Sequence, residues 1–223
     1  MKIAIDGPVG AGKSTISDAV AKTLGILHLD TGAMYRAVGL TCLREGIDID
    51  NERAVAERCR DLLIGVSYEN GAQRTLADGD DVTGSIRTPE VSGAASRVGT
   101  YADVRKAMVA AQQRLAAEQD MLLDGRDIGT RVLPDADVKI FLTASAEERA
   151  RRRWKEMLDK GEEADYGEVL KAVKERDAQD MGREVDPLRC ADDAVTVDTT
   201  NLSFDESVAA ILAIVRERTA TGA

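Results

Sequence analysis

The sequence predicts an α/β fold built on a doubly wound, five-stranded parallel sheet, and three observations predict it. Five short apolar runs, Ile3–Ile5, Ile26–Leu29, Met121–Leu123, Val138–Leu142 and Ala194–Val197, read as strands buried on both faces, as parallel strands are. Helical periodicity fills the intervals between them, and alternation of this kind builds crossover units. The first strand also runs directly into a glycine-rich turn followed by an amphipathic segment.

In that segment Ile16, Ala19, Val20, Thr23 and Leu24 fall on one face at a 3.6-residue period, which predicts a first helix. Further helices are expected at Ala33–Arg44, Glu52–Leu63, Val104–Glu118, Ala146–Leu158, Tyr166–Gln179 and Phe204–Glu217. Residues 64–88 break the rhythm. Asn70-Gly71 and Asp78-Gly79, flanked by short alternating segments, are hairpin signals and predict a small antiparallel insert. Residues 159–165 are charged and contain glycine between two helices, which suits either a surface loop or the tip of a mobile lid.

Of the 223 residues 43% are hydrophobic but only 3% aromatic, so one domain is expected, its core made of Ala, Val, Ile and Leu. Cys42, Cys59 and Cys190 are scattered and lack metal-ligand spacing, which argues for a reduced cytoplasmic setting without zinc. The first strand leaves no room for a signal peptide, and no apolar run approaches the ~20 residues of a membrane span. A net charge of −10 argues against a general nucleic-acid binder.

Gly7-Pro8-Val9-Gly10-Ala11-Gly12-Lys13-Ser14, continued by Thr15, fits the phosphate-loop pattern G-x-x-x-x-G-K-[ST] in its required setting, after a strand and before a helix. The glycines let backbone N–H groups wrap phosphates, Lys13 supplies charge to the β- and γ-phosphates, and the Ser14 hydroxyl is a candidate Mg²⁺ ligand. The loop implies nucleoside triphosphate binding and leaves open a switch, a motor or a kinase. Two other strand ends carry an aspartate followed by an arginine: Asp30-Thr31-Gly32-Ala33-Met34-Tyr35-Arg36 and Asp124-Gly125-Arg126-Asp127. In open α/β sheets ligands bind beyond the carboxyl ends of the strands. Moving a phosphoryl group between two anions needs cations there, and guanidinium forks suit phosphate. Asp124 resembles the acidic residue that positions Mg²⁺; a helix cap or an ion pair with Arg126 is the competing role.

Arg149, Arg152 and Arg153 share a helix face, as expected of a lid helix that closes over ATP phosphates. Arg176, Asp180 and Arg183 also align on one helix side, where the bland reading is a surface salt-bridge ladder. His28 lies within an apolar strand and reads as structural. No nucleophilic triad competes, and phosphoryl transfer requires none.

These residues resemble the bacterial cytidylate kinases over essentially the whole length. The resemblance rests on IDGPVGAGKST at residues 5–15, DTGAMYR at 30–36, IRTPEVSGAASRV at 86–98, DVRKAM at 103–108, DGRDIGTRVLPDADVKIFLTAS at 124–145 and ERDAQDMGREVDPL at 175–188. It implies a nucleoside monophosphate kinase fold: a core of about residues 1–32, 121–150 and 188–223, a monophosphate-binding region of about 33–105 with its insert at about 64–88, and a lid at about 150–166. The implied reaction is transfer from ATP, with Mg²⁺, to CMP or dCMP in a cytoplasmic, monomeric enzyme without nucleic-acid or membrane partners. By the same resemblance Arg36, Arg126 and Arg183 grip the CMP phosphate, and Ser96, Arg105 and Asp127 read the cytosine. Arg176 and Asp180 contact the sugar, and Tyr35 packs near the acceptor. Thr31 stands where many members have Ser, which keeps the hydroxyl and adds a methyl. Ser14 stands where some carry Gly. The rival expectations are another monophosphate acceptor, UMP or AMP, and a nucleotide-dependent switch. Against the switch, no Asn-Lys-x-Asp motif is present.

Overall fold

The computed structural model describes residues 1–220. Its elements in chain order are β1 (Lys2–Asp6), α1 (Lys13–Leu24), β2 (Leu27–Asp30), α2 (Thr31–Arg44), α3 (Glu52–Asp61), β3 (Ile64–Glu69), β4 (Ala72–Ala77), β5 (Asp80–Asp81), α4 (Pro89–Val98), α5 (Ala102–Glu118), β6 (Met121–Gly125), β7 (Val138–Thr143), α6 (Ala146–Asp159), α7 (Tyr166–Met181), β8 (Val195–Asp198) and α8 (Phe204–Ala220). A single π-helical turn, Ile128–Val132, follows β6.

Five parallel strands form the main sheet in the order β2-β6-β1-β7-β8. β1 and β7 pair with Ile3 opposite Val138 and Ile5 opposite Ile140; β7 and β8 pair with Ile140 opposite Val195. The chain divides into two compact units, Met1–Ile26 with the segment from Leu122 onward, and Leu27–Met121.

In the first unit the core is aliphatic. Ile3, Ile5, Leu122, Ile140 and Leu142 of the sheet pack with Ile16, Val20 and Ala21 of α1 and with Ile211 and Val215 of α8. The buried face of α1 is Ile16, Ser17, Val20 and Ala21, whereas Thr23 is exposed and donates to the Ala19 carbonyl at 2.8 Å. Ile16, Val20 and Leu24 of the expected stripe face the core, while Ser17 and Ala21 take the places expected of Ala19 and Thr23, because buried Ser17 carries no apolar signal.

In the second unit both hairpins form at the expected dipeptides. Asn70 and Gly71 turn between paired Glu69 and Ala72, and Asp78 and Gly79 turn between paired Ala77 and Asp80. All four turn residues have positive φ, the geometry that makes two-residue turns follow strand twist. Helix α4 was not expected from the sequence. Thr88 caps it by accepting from the Val91 N–H at 3.2 Å, and Pro89 begins it. Gly39 of α2 lets α4 approach: a Cβ there would stand 3.0 Å from both Ala94 Cβ and the Ala95 nitrogen. Cys42 and Cys59 are buried free thiols, and no described helix is long and apolar enough to cross a membrane.

Replacing Gly39 by Val must push α4 off α2. Overpacking of this kind costs about 1–3 kcal/mol, and urea denaturation of Gly39→Val should show a loss in that range at unchanged m-value.

Candidate active site

The phosphate loop starts against β7. A Cβ at Gly7 would lie 1.9 Å from the Leu142 carbonyl oxygen, so no side chain fits. Gly12 caps α1 in the left-handed region with φ 83° and, having no side chain, offers no cap bond to the first-turn N–H groups of that helix. These orphaned donors and the helix dipole make a ready anion site. Lys13 is buried, and its Nζ donates to the Pro8 carbonyl at 2.8 Å, curled over the loop. Burial, helped by the nearby Arg126 charge, lowers its pKa to about 7 against the pull of Asp124, Asp180 and Asp6. Ser14 Oγ donates to Asp124 Oδ2 at 2.9 Å, joining two residues 110 positions apart. Hydroxyl and carboxylate oxygens are hard donors that suit Mg²⁺, which keeps water and phosphate ligands instead of needing an all-protein cage. No such cage of three or more His, Cys, Asp or Glu exists among the described residues.

Asp6, at the end of β1, was not singled out in the sequence. Its two carboxylate oxygens accept from the Ile128 and Gly129 N–H groups, each at 2.7 Å, and so pin the π-turn that follows Arg126 and Asp127. Burial raises its pKa to about 7 despite those two bonds. Asp127 caps the π-turn with its backbone and is itself buried.

Arg126, Arg176 and Arg183 converge on Asp180, which is wholly buried. Arg126 Nε lies 2.8 Å from one carboxylate oxygen, while Arg176 Nε, at 3.3 Å, and Arg183 meet the other. Burial pushes the Asp180 pKa up, but the three guanidinium groups outweigh it and hold the carboxyl below its usual range. The surface-ladder reading of this cluster is therefore wrong. A ladder would sit in water, whereas this carboxylate is sealed beneath three cations.

The α6 arginines divide. Arg149 is buried and donates to the Ala144 carbonyl (2.9 Å), the Val9 carbonyl of the phosphate loop (2.9 Å) and both Asp177 oxygens (3.0 and 2.7 Å). Arg152 bonds Glu148 at 2.8 Å and the Thr199 carbonyl at 2.6 Å, and Arg153 is exposed. Asp177 was not foreseen, although it lies one residue from Arg176. The loop between α6 and α7 is held by Trp154, whose indole donates to the Ala164 carbonyl at 2.9 Å and meets the Tyr166 ring edge-on at 6.1 Å.

In the second unit, Asp30 Oδ1 accepts from the Ala33 N–H at 3.1 Å, capping α2, and Oδ2 holds Arg36 at 2.6 Å. Arg36 Nε is buried with no hydrogen-bond partner, a donor available to an anion. Gly32 sits close beneath the pair: a Cβ there would meet Asp30 Oδ1 at 3.1 Å and Arg36 Nη1 at 3.2 Å. Thr31, Ser96 and Arg105 are buried. The Arg105 guanidinium lies 5.7 Å from the Tyr35 ring centroid and donates to the Gly99 carbonyl.

A phosphate loop that follows the central strand of a five-stranded parallel sheet and opens a helix defines the class as an α/β phosphate-loop fold. Solved structures share that fold. A gluconokinase from Sinorhizobium meliloti 1021 aligns with a TM-score of 0.50 at 17% identity, covering 99% of this chain and 94% of that one. An uncharacterised protein from Eubacterium ventriosum aligns at 0.52 and 11%, covering 97% and 98%. The chain belongs to the cytidylate kinase family, whose model matches residues 3–217. Curated relatives named cytidylate kinase include those of Caldicellulosiruptor saccharolyticus, 50% identical over 95% of this chain and 94% of its own, and of Geobacter sulfurreducens, 50% identical over 97% and 93%.

A lysine whose pKa falls on folding opposes folding while it is charged. That penalty is full below about pH 7, shrinks as the pH rises, and vanishes above the ordinary lysine value. Nucleotide-free Lys13→Met should therefore be more stable than the parent by on the order of 2 kcal/mol at pH 7, and the two urea midpoints should converge towards pH 10.

Proposed function

We propose that the chain transfers the γ-phosphoryl group of ATP to CMP, and to dCMP, giving ADP and the cytidine diphosphate. The observation that carries this reading is the phosphate loop with Ser14 bonded to Asp124, in a chain whose half-identical, full-length relatives are named cytidylate kinase.

In this reading the Gly7–Thr15 backbone and Lys13 hold the ATP phosphates, and the approaching phosphate charge keeps buried Lys13 protonated at neutral pH. Ser14 and Asp124 hold Mg²⁺, which supplies charge neutralisation on the phosphates when bound. Arg36, Arg126 and Arg183 orient the CMP phosphate so that one of its oxygens attacks the γ-phosphorus in line. The bond from that phosphorus to the β,γ-bridging oxygen breaks, and ADP departs with the bridging electrons. The guanidinium groups neutralise the charge spread over the transferring group. Asp127 accepts from the exocyclic amine of cytosine, a donor that uracil lacks, while Ser96 and Arg105 bond the rest of the base edge. Arg176, held by buried Asp180, meets the sugar hydroxyls, and Tyr35, stacked under Arg105, and Thr31 shape the acceptor pocket. Arg149 ties α6 to the loop through Val9, so that Arg152 and Arg153 stand on a helix anchored beside the ATP phosphates. Residues 150–166 serve as the lid and 33–105 as the acceptor-binding region. Such an enzyme acts in the cytoplasm as a monomer.

The direct test is ADP release with Mg·ATP and CMP, dCMP, UMP, AMP or GMP in turn. Turnover is expected with CMP and dCMP; comparable rates with AMP or UMP would overturn the acceptor. Arg126→Ala should lower kcat about 10²–10³-fold with an unchanged circular dichroism spectrum. Asp127→Asn should narrow the CMP-to-UMP ratio of kcat/KM by about tenfold or more and leave the KM for ATP within about twofold.

A further inference from the structure

Strand β2 is an outer strand of the main sheet, so one row of its backbone groups has no neighbouring strand. Residues two apart in a strand direct their N–H and C=O groups to the same side. On β2 the groups of His28 and Asp30 form such a row, and two side chains of the insert occupy it. Tyr68 Oη donates to the His28 carbonyl at 3.0 Å. Gln73 Oε1 accepts from the Asp30 N–H at 2.8 Å, and Gln73 Nε2 donates to the Asp30 carbonyl at 3.3 Å. The amide of Gln73 thus imitates the paired N–H and C=O of a strand.

Tyr68 and Gln73 stand directly opposite one another in the β3–β4 hairpin, so one cross-strand pair supplies all three bonds. Thr75 Oγ1, in a buried residue, accepts from Gln73 Nε2 at 3.2 Å and fixes which way the amide faces. The residue so gripped is the one that caps α2 and binds Arg36 at 2.6 Å. A shift of Asp30 along β2 would move the cap, the start of α2 and the guanidinium together.

We propose that the Tyr68–Gln73 pair is a positioning clamp through which the insert sets Asp30, and thereby Arg36, for the acceptor phosphate; this rests on the reading of Arg36 as a phosphate ligand. Both clamp residues act on the main chain of β2, and neither is among the residues read as ligands of the substrates. The clamp gives the insert a role in acceptor binding that the hairpin signals alone do not convey.

The test is steady-state kinetics of Gln73→Leu and Tyr68→Phe, each alone and combined with Arg36→Ala, with CMP and ATP varied separately. Loss of the two bonds to Asp30 predicts a rise of about tenfold in the KM for CMP in Gln73→Leu, and a smaller rise in Tyr68→Phe, which removes one hydroxyl. The KM for ATP should stay within about twofold in both. In the Arg36→Ala background the Gln73→Leu effect should fall below about twofold, since the clamp acts through that arginine. Equal changes in both KM values, or a Gln73→Leu effect undiminished without Arg36, would overturn the clamp and leave the Arg36 reading intact. Should Gln73→Leu fail to fold, the CMP-to-ATP split of Tyr68→Phe decides in the same way. An Arg36→Ala variant with the parental KM for CMP would instead overturn the reading on which the clamp rests.

Discussion

Guanidinium groups crowded together repel one another and must still be held in place, and carboxylates that are largely or fully buried do that here. Asp180 holds Arg126, Arg176 and Arg183 from a fully buried position; Asp30 holds Arg36; Asp177 holds Arg149 at both of its oxygens. Such buried pairs add little net stability, because desolvation offsets most of the Coulombic attraction. Their value lies in geometry. A planar fork on a fixed carboxylate has few rotamers left, so its orientation is set before any ligand must order it.

Carboxylates of this kind can hold cations only if the backbone that carries them is itself rigid. At the end of β1 the chain does two things within two residues. Asp6 takes the first two N–H groups of the π-turn after Arg126 and Asp127, and Gly7 turns the chain hard against the Leu142 carbonyl. The phosphate loop and the Arg126–Asp127 segment are thereby referred to one strand end. A π-turn is rare and tends to occur where function demands a particular backbone course. Here its first donors face a neighbouring strand's carboxylate and not solvent. On the other unit Asp30 is the reference point, bonded by its side chain to α2 and Arg36 and by its main chain to Gln73.

What the sequence made legible was chiefly local. The phosphate loop is specified by glycines whose necessity is steric, and the two hairpins by Asn-Gly and Asp-Gly pairs whose positive φ the turns require. The inner strands were legible because they are buried and largely apolar, whereas the outer strands β2 (LHLD) and β8 (VTVD) are only partly buried, against the expectation of burial on both faces. Helix α4 carried a start signal in Thr88-Pro89-Glu90 and apolar residues at Val91, Ala94, Ala95 and Val98, but the signal is faint because the middle of that stripe is alanine, small enough to pack close against Gly39. The π-turn had no local signal, because its acceptor lies 122 residues away at Asp6. Among charged residues, type and helix face were readable but partners were not. Asp180 looked like a surface rung beside Arg176 until Arg126, 54 residues distant, was brought onto it. Arg149 proved to be anchored to the loop's own carbonyl, a contact across 140 positions.

The measurement that bears most directly on this account is the urea denaturation of the parent and Asp180→Asn, with and without millimolar sulfate at constant ionic strength. If Asp180 is the internal counter-charge of the arginine cluster, the variant should lose about 3–5 kcal/mol. Sulfate should return more stability to the variant than it adds to the parent, because the anion takes the place of the missing charge. Equal stability of the two proteins, with the same response to sulfate, would contradict the claim that this carboxylate organises the site.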